Sequence, residues 1–491
     1  MLAIFVCLVF CLVLAFLLLA SNVSISAEKT SSPPLLIISY DGFRWDYLNR
    51  TRTPNFDHII KHGVYARRGL VNVFATSTLT NHWSMVTGLY PESHGIIDNH
   101  FFDPDVNKTY IPLYQNWSAV NDPRFYDTGA EPIWVTNQLQ KENGRSGSVM
   151  WWGAENIVKN TRPTHHMPYN LTIESTYIID TMVKWFTQDS GINLGLLYFS
   201  EPDHTAHQFG PDSDNVTQMI GKADELTGYL FRQLSRNDLL EDMNIIFTSD
   251  HGFASASKEN LIYLDKYIDP SWYTVIHYTP VAAIMPKPGK EDIIFEKLKA
   301  ASTDNHFTVY RKKDIPDRLR YRNNIRTPPI IIVADITYNF ITNMSADQFK
   351  LAGNHGYDNK YEDMHPFFLA MGPSFKQGVE VETFQMVDLY PLMCRLLELQ
   401  PAPNNGSLDV VSLFLQDQQN SIWTVSAYIL SLAVIITLGG TFAVASVWHY
   451  CQKHKSSELG FGRTAARIHS FKDINAQYKL IPDEEAHDDG L

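Results

Sequence analysis

The 491-residue chain is 44% hydrophobic and 12% aromatic, which is the composition of a protein with a large core rather than of a disordered chain. Its formal net charge of −13 disfavours a nucleic acid polymer as the main partner, because a phosphate backbone is bound by an excess of Lys and Arg. The charge does not disfavour a small phosphate ester, which bound metal ions can neutralise locally.

Two apolar stretches lie near the ends of the chain. Residues 2–20 are almost wholly apolar and small residues follow, so we interpret residues 1–26 as a signal peptide, with an uncleaved anchor as the alternative. Residues 422–448 carry no charge and are long enough to cross a bilayer, and four Lys or Arg follow between 453 and 467. The positive-inside rule then predicts a type I protein of the plasma membrane: an extracellular domain at 29–405, a stem at 406–421, a transmembrane helix at 422–448 and a cytoplasmic tail at 449–491.

Seven Asn-X-Ser/Thr sequons fall between these stretches and none lies in the tail, which suits an exported, glycosylated domain. The predicted glycosylation sites are Asn49, Asn107, Asn116, Asn170, Asn215, Asn343 and Asn405. Cys394 is the only cysteine of the predicted extracellular domain. Its apolar, helical-looking surroundings favour a buried thiol over an intermolecular disulfide.

In chain order, several apolar segments end just before acidic or histidine residues. Residues 35–39 lead to Asp41, 195–199 to Asp203, 244–248 to Asp250 and His251, and 329–334, after a hairpin-like stretch, to the loop of His355. Helix-compatible segments at 172–187 and 216–233 alternate with them. This alternation predicts one α/β domain whose central sheet is largely parallel with helices on both faces. Ligands of such sheets bind beyond the carboxyl ends of the strands.

A hydroxyl cluster lies within residues 71–82. The segment begins apolar, as a buried strand would, and becomes rich in Thr and Ser from Thr76 up to Asn81 and His82. A strand that delivers hydroxyls to a turn can expose a nucleophile, and we place that nucleophile at Thr78. The alternative is an ordinary turn or helix cap, where Thr and Ser are also common.

Three Asp and three His near the segment ends have the composition of a two-metal site that could activate Thr78. They are Asp41, Asp203, His207, Asp250, His251 and His355. Asp and neutral His are good Zn²⁺ ligands, and the four-residue spacing of Asp203 and His207 allows both on one helical face. Individually, Asp203 could instead cap a helix, and Asp41 and His355 could belong to plain turns.

With these motifs, the chain resembles the nucleotide pyrophosphatase/phosphodiesterase family of the alkaline phosphatase superfamily. The matching stretches are residues 39–44 (SYDGFR), 81–99, 201–203 (EPD), 248–252 (TSDHG) and 353–358 (GNHGYD), within residues 35–399. The single-domain type I layout is similar to that of members four and five. The resemblance implies an alkaline phosphatase-like fold.

The resemblance also implies a role for each matching residue. Thr78 would be the nucleophile, and two Zn²⁺ would be bound, one by Asp203, His207 and His355 and the other by Asp41, Thr78, Asp250 and His251. The resemblance further implies that Asn99 contacts a phosphate oxygen and that Tyr169 stacks on a nucleobase. Leu79 and Tyr198 complete the substrate-binding residues, with core packing as the alternative for both tyrosines.

The chain departs from the family pattern beside the nucleophile. Leu79 and Thr80 stand where the family usually has an aromatic residue and Pro, and Ser77 replaces the usual Lys. Leu79 keeps an apolar wall but cannot stack on a base.

The sequence therefore predicts a cell-surface, zinc-dependent phosphodiesterase. Its partners would be small extracellular nucleotides, namely dinucleoside polyphosphates, NAD or nucleoside triphosphates, and a membrane through one C-terminal helix. Hydrolysis would release a nucleoside 5′-monophosphate through a threonyl-nucleotide intermediate. The alternatives are a lysophospholipid or choline phosphodiesterase of the same fold and a non-catalytic surface receptor.

Overall fold

The computed structural model describes residues 32–110, 122–342, 345–416 and 418–461. The chain divides after Gln416 into a large unit and a C-terminal unit. The predicted signal peptide, the sequon residues Asn116 and Asn343, and the tail beyond residue 461 lie outside the described residues.

The large unit contains strands and helices in mixed order. Its strands are β1 Leu35–Tyr40, β2 Val64–Ala66, β3 Leu70–Val71, β4 Phe101–Asp103, β5 Lys108–Tyr110, β6 Ser146–Val149, β7 His165–Met167, β8 Leu194–Phe199, β9 Asn244–Thr248, β10 Ala254–Ser255, β11 Leu261–Tyr263, β12 Tyr273–His277, β13 Val281–Pro286, β14 Phe307–Arg311, β15 Ile330–Ala334, β16 Asn339–Ile341, β17 Gly353–Asn354, β18 Phe368–Met371, β19 Val379–Val381 and β20 Phe384–Gln385. Its helices are α1 Pro54–His62, α2 Thr78–Thr87, α3 Pro91–His94, α4 Ile133–Gln140, α5 Ser175–Thr187, α6 Asp203–Phe209, α7 Asp214–Arg236, α8 Glu291–Ser302 and α9 Leu389–Leu396.

Eight strands form the central sheet, in the order β19-β2-β18-β9-β1-β8-β6-β7. Strand β1 pairs in parallel with β8 and β9, and only β18 runs against its neighbours. Every residue of β1, β8 and β9 is buried, as their apolar sequences predict for central parallel strands. Helices α1, α4 and α5 pack directly against strands of this sheet. The predicted α/β class with a largely parallel sheet is confirmed.

The sheet register brings the ends of three strands to one edge. Tyr40, the last residue of β1, pairs with Phe199 of β8, and the preceding Ser39 pairs with Thr248 of β9. The residues that follow these strands therefore meet at the same place. The sequence predicted Asp41, Asp203 and Asp250 at this edge.

One strand lies elsewhere than predicted. Residues 330–334 do not continue the parallel sheet; they form β15 in a separate antiparallel sheet of order β12-β13-β15-β14 with its own apolar core. The prediction failed because an unbroken apolar run marks a buried strand without specifying its neighbours or their direction. Helix α8 packs on this second sheet through β14.

Cys394 is buried in α9, as predicted. Burial raises the pKa of its thiol to about 12, which makes it a weak nucleophile at neutral pH.

The C-terminal unit contains helix α10, Gln418–Phe461. Among the described residues, its segment Ala433–His454 is the only helical stretch long and apolar enough to cross a membrane, judged by length and composition. This segment overlaps the predicted span at 422–448. The type I arrangement itself stays a prediction.

Candidate active site

The six Asp and His residues predicted as metal ligands meet at the edge formed by β1, β8 and β9. Asp41 follows β1, Asp203 begins α6 after β8, and Asp250 and His251 follow β9. His207 lies one helical turn after Asp203 on α6, and its Nε2 is 3.5 Å from Asp203 Oδ1. His355 follows β17, and its Nε2 is 3.6 Å from the same oxygen.

These residues form two overlapping groups of possible ligand atoms. Asp41, Asp250 and His251 make one group, and Asp203, His251 and His355 make the other, with the ligand atoms of each group within 4.8 Å of one another. His251 Nε2 lies 3.3 Å from Asp41 Oδ1 and 3.1 Å from Asp250 Oδ2. His251 therefore stands between the groups rather than within only one.

Backbone carbonyls orient the three imidazoles. The Nδ1 atoms of His207, His251 and His355 lie 3.1, 3.0 and 3.0 Å from the carbonyl oxygens of Gly353, Gly252 and Thr76. Each Nδ1 then carries the proton and donates a hydrogen bond to the carbonyl oxygen. The lone pair of each Nε2 is left facing the carboxylates, which is the tautomer that a metal ligand needs.

The carboxylates supply a direct test of whether cations fit. Oxygens Asp41 Oδ1, Asp203 Oδ1 and Asp250 Oδ2 are buried and have no hydrogen-bond partner. Buried polar atoms are normally satisfied, so three orphaned carboxylate oxygens beside three Nε2 lone pairs form a set of donor atoms that suits divalent cations. The residues present fit the metals that the sequence analysis expected.

The charges of this cluster shift its pKa values strongly. Burial, together with the neighbouring Asp250 and Asp203, raises the pKa of Asp41 well above its usual value. Burial acts on Asp250 in the same direction, but the neighbouring imidazoles of His251 and His82 outweigh it and hold its pKa below the usual range. Burial and the adjacent His251 and His207 lower the pKa of His355. Crowded carboxylates that resist ionisation without a counter-charge are typical of functional sites.

Thr78 is the first residue of α2 rather than part of a strand-to-turn connection. Strand β3 ends at Val71, and residues 72–77 form no strand. The Thr78 hydroxyl oxygen lies 3.3 Å from His251 Nε2, and the residue is 8% exposed. The amino end of a helix carries partial positive charge, so an oxyanion at Thr78 is favoured there.

Asn99 lies beside Thr78. Its side-chain oxygen accepts the backbone N–H of Leu79 at 2.8 Å. Asn99 also lines the open cavity described next, and its amide group is a hydrogen-bond donor.

A cavity of about 360 Å³ opens over this cluster; we call it the site cavity. Thr78, Leu79, Asn99, Tyr169 and Tyr198 all line it. Tyr198 is buried, and its hydroxyl donates to Asp41 Oδ2, so it packs in the core and also orients a ligand. The structure thus brings together every residue predicted for the site.

Two contributors to the site were missed by sequence reasoning. Trp152 lines the cavity, with its ring stacked on Tyr169 at a centroid distance of 4.9 Å. His82 is fully buried; its Nδ1 lies 2.8 Å from the Thr78 carbonyl oxygen and its Nε2 2.9 Å from Ser39 Oγ. Two features could have pointed to these residues. One is the adjacent aromatic pair at 151–152, and the other is the position of His82 in a helix that is buried throughout.

None of the five described sequon asparagines is buried. Asn49, Asn107, Asn170 and Asn405 are exposed and Asn215 is half-buried. Their glycosylation stays a prediction.

Residues 35–358 match the family described as type I phosphodiesterase / nucleotide pyrophosphatase. The chain belongs to this family. Among curated relatives of this phosphodiesterase, ectonucleotide pyrophosphatase/phosphodiesterase family member 5 of Homo sapiens is 43% identical over 80% of each chain. The Homo sapiens protein called bis(5'-adenosyl)-triphosphatase ENPP4 is 40% identical over 84% of this chain and 87% of its own.

Solved structures agree with this assignment. A structure of murine ectonucleotide pyrophosphatase/phosphodiesterase 5, an inactive threonine-to-alanine variant in complex with AMP, has a TM-score of 0.74 and 42% identity. The match covers 78% of this phosphodiesterase and all of the murine chain. The protein is therefore an enzyme of the nucleotide pyrophosphatase/phosphodiesterase class, with the α/β fold of that family.

Proposed function

We propose that this enzyme is a cell-surface, zinc-dependent hydrolase of extracellular nucleotides that releases a nucleoside 5′-monophosphate. Its substrates are dinucleoside polyphosphates, NAD and nucleoside triphosphates. The observation that carries the proposal is the position of the Thr78 hydroxyl, 3.3 Å from His251 Nε2 at the base of the site cavity and beside the orphaned carboxylates.

The relatives support the substrate class. One relative is named for hydrolysis of bis(5'-adenosyl) triphosphate, and the solved relative holds AMP, the kind of product we propose. That complex was obtained with an inactive threonine-to-alanine variant, which supports a threonine nucleophile in this family.

Two Zn²⁺ would be held by the six-residue cluster, one by Asp41, Asp250 and His251 with Thr78, the other by Asp203, His207 and His355. Bound there, the ions would supply positive charge that favours the ionised hydroxyl of Thr78 and offsets the charge of the phosphoryl group. Tyr198 holds Asp41 through its hydroxyl, and His82 holds the Thr78 backbone.

The reaction proceeds in two displacements on phosphorus. The Thr78 oxygen, having lost its proton to water, forms a bond to phosphorus while the bridging P–O bond breaks and the leaving oxygen keeps the electron pair. Water then attacks the phosphorus of the threonyl ester, a P–O bond to water replaces the bond to Thr78, and the departing Thr78 oxygen takes up the proton that the water loses. Asn99 donates its amide N–H to a non-bridging oxygen in both steps.

The cavity wall recognises the nucleoside. The Trp152–Tyr169 pair offers a flat aromatic surface to a base, and base stacking on an aromatic side chain contributes roughly 1–3 kcal/mol. Leu79 is 3% exposed and supplies an apolar contact without a second ring. We therefore expect weaker discrimination between bases than a two-sided aromatic clamp would give.

The decisive experiment uses the full chain, purified in detergent at mildly alkaline pH, with the nitrophenyl ester of thymidine 5′-monophosphate. We expect release that a chelator abolishes and Zn²⁺ restores, and no release by the Thr78→Ala variant. A nitrophenyl phosphocholine ester serves as the matched control. Release from the choline ester alone, by a folded and zinc-loaded protein, would contradict the nucleotide assignment.

A further inference from the structure

One acidic side chain connects Asn99, the proposed donor to the phosphoryl group, with the second sheet. Asp98 immediately precedes Asn99, between α3 and β4, and is 3% exposed. Its Oδ1 accepts the backbone N–H of Asn99 at 2.6 Å. Its Oδ2 lies 3.1 Å from Nδ1 of His277, the last residue of β12. The mechanism above assigns no role to either Asp98 or His277.

The contacts continue from Asn99 to the helix that carries Thr78. The side-chain oxygen of Asn99 accepts the backbone N–H of Leu79 at 2.8 Å. Leu79 follows Thr78 at the amino end of α2. Three hydrogen bonds therefore lead from His277, through Asp98 and Asn99, to the residue beside the proposed nucleophile.

A β-bulge next to His277 determines where its side chain points. Val275 and His277 pair with consecutive residues of β13, so Ile276 between them is an extra residue on β12. Side chains alternate between the two faces of a strand, and removing one residue would turn position 277 to the opposite face. Bulges of this kind re-aim side chains and are over-represented beside active sites.

The charged form of His277 is favoured by its partners. Burial acts to lower the pKa of His277, but the Asp98 carboxylate and a hydrogen bond to the Val281 backbone outweigh burial and raise it above the usual value. Burial likewise acts to raise the pKa of Asp98, and the neighbouring His277 holds it below the usual value. Both shifts are those of an ion pair that solvent screens little.

The other ionisable groups around His277 do not compete for its charge. The His100 ring stacks on it at a centroid distance of 5.4 Å, and burial and His277 lower the pKa of His100 to about 4, which leaves His100 neutral. On β4, which packs against β12, Asp103 is already paired with an arginine. Strand β13 and residues 270–272 contain no ionisable side chain. Within the part of the chain that the structure describes, Asp98 is the only carboxylate at ion-pair distance from His277.

We infer that His277, in its charged form, is a positioning residue for Asn99. Through Asp98 it holds the loop in place, so that the Asn99 amide stays beside Thr78 and can donate to a non-bridging phosphate oxygen. His277 itself does not line the site cavity. The inference rests on the proposed function and deepens it, since it gives the second sheet a part in holding the phosphoryl group.

A double-mutant cycle in the full-length, zinc-loaded protein tests the inference at pH 7, with the nitrophenyl ester of thymidine 5′-monophosphate as substrate. H277F keeps a flat ring and removes the donor and the charge. We expect H277F to lower kcat/KM at least fivefold in the otherwise unmodified protein. In the N99A background it should lower kcat/KM less than twofold, because the group that His277 positions is already absent.

The pH dependence gives a readout that a merely structural role would not change. H277N keeps a donor near the position of Nδ1 but carries no charge. The charged form of His277 is present below its raised pKa and is lost as pH rises through that value. The ratio of kcat/KM between the unmodified protein and H277N should therefore decrease from pH 6 to pH 9, and the ratio cancels ionisations that the two proteins share. A ratio that stays constant would overturn the inference.

A matched control comes from another His–carboxylate pair of the second sheet. His306 Nδ1 lies 3.6 Å from Asp335 Oδ2, and both side chains are about half exposed. H306N should leave kcat/KM within twofold and should not change its pH dependence. Because H277F leaves the buried Asp98 without a partner, D98A/H277F is the second variant: it leaves no unpaired charge and should give the same cycle if H277F does not fold.

The remaining outcomes separate failure of the inference from failure of the proposed function. An H277F loss that is equal with and without Asn99, or that disappears only in an H100A background, would overturn the inference and leave the proposed function intact. Calorimetric affinity of the Thr78→Ala protein for AMP repeats the cycle without turnover, and H277F should weaken it only when Asn99 is present. An unmodified, folded protein that hydrolyses no ester, and whose Thr78→Ala variant binds no AMP, would overturn the proposed function and the inference with it.

Discussion

The hydroxyl oxygen of Thr78 lies 3.3 Å from Nε2 of His251, whose other ring nitrogen lies 3.0 Å from the Gly252 carbonyl oxygen. The amino end of α2 and the carboxyl end of β9 are thereby joined through one side-chain contact. Any change that removes the hydroxyl or moves either element should affect the catalytic rate first.

Replacing Thr78 with Val keeps the shape of the side chain and removes the hydroxyl. We expect kcat to fall by at least about 10³-fold, because no oxygen remains to attack phosphorus. Thr78→Ser, which keeps the hydroxyl, should retain measurable turnover. Steady-state hydrolysis of the nitrophenyl nucleotide ester measures both. Turnover by the Val variant within tenfold of the unmodified enzyme would exclude Thr78 as the nucleophile.

The backbone of Gly42 lies close to Asp203, one of the six Asp and His residues of the site. Its φ is +68°, and a Cβ there would lie 2.9 Å from both Cα and Cβ of Asp203. Gly42→Ala should therefore displace Asp203, lower bound zinc and reduce activity at least tenfold. Zinc content after dialysis and the thermal midpoint measure the effect.

Gly289 provides the matched control for that change. Its φ is +73°, but a Cβ there meets nothing within 4 Å. Gly289→Ala should cost about 1–2 kcal/mol of backbone strain and leave zinc content unchanged. Equal zinc in the two variants would contradict a contact between Gly42 and the site.

The Trp152–Tyr169 stack should matter only for substrates with a base. Tyr169→Ala should raise KM for nucleotide esters by about tenfold, given the stacking energy of bases on aromatic rings. Hydrolysis of bis(4-nitrophenyl) phosphate, which has no base, should change little. Tyr177→Ala, an exposed tyrosine of α5, is the control variant. Equal losses on both substrates would indicate a general disturbance of the fold.

His94 should make the fold sensitive to mild acid. Burial, then the charge of Arg326, lowers its pKa from 6.5 to about 3, and its ring bonds Ser84 Oγ and the Ile96 N–H. The unfolded chain therefore binds more protons between these pH values, so the free energy of unfolding decreases as pH falls below about 6.5. The loss should reach about 2 kcal/mol at pH 5.

Denaturant unfolding of the His94→Gln variant at pH 7 and pH 5 checks this dependence. The variant should be less stable at pH 7 but lose less on acidification than the unmodified chain. His62→Gln, at an exposed position of α1, should keep the full dependence. Parallel curves for all three proteins would mean that another group controls the acid response.

The chain divides after Gln416, so removing the residues beyond it tests whether they anchor the protein in a membrane. A chain ending at Gln416 should be secreted as active enzyme, whereas the full chain should stay in the membrane fraction. Removal of N-glycans should increase the mobility of both on a gel. Retention of the truncated chain by membranes would show that residues 418–461 are not the anchor and would leave the N-terminal apolar stretch as the candidate.

The strands of the site and the ligands at their ends could be predicted from the sequence, because these features depend on residues close together in the chain. The apolar runs before Asp41, Asp203 and Asp250 predicted buried strands with ligands at their ends, and the spacing of Asp203 and His207 predicted a shared helical face. The helix and the strand ends are present. Burial in a sheet requires such runs to be apolar, so their pattern can be recognised from the sequence alone.

Only the tertiary structure decided which distant segments meet. The place of β15 in a second sheet, the contact of Thr78 with His251, and the position of His251 between two ligand groups all depend on pairings across large sequence separations. An apolar run specifies that a strand is buried but not which strand lies beside it. The sequence by itself determined the candidate ligands and the candidate nucleophile. Long-range packing determined their geometry and brought Trp152 and His82 to the site.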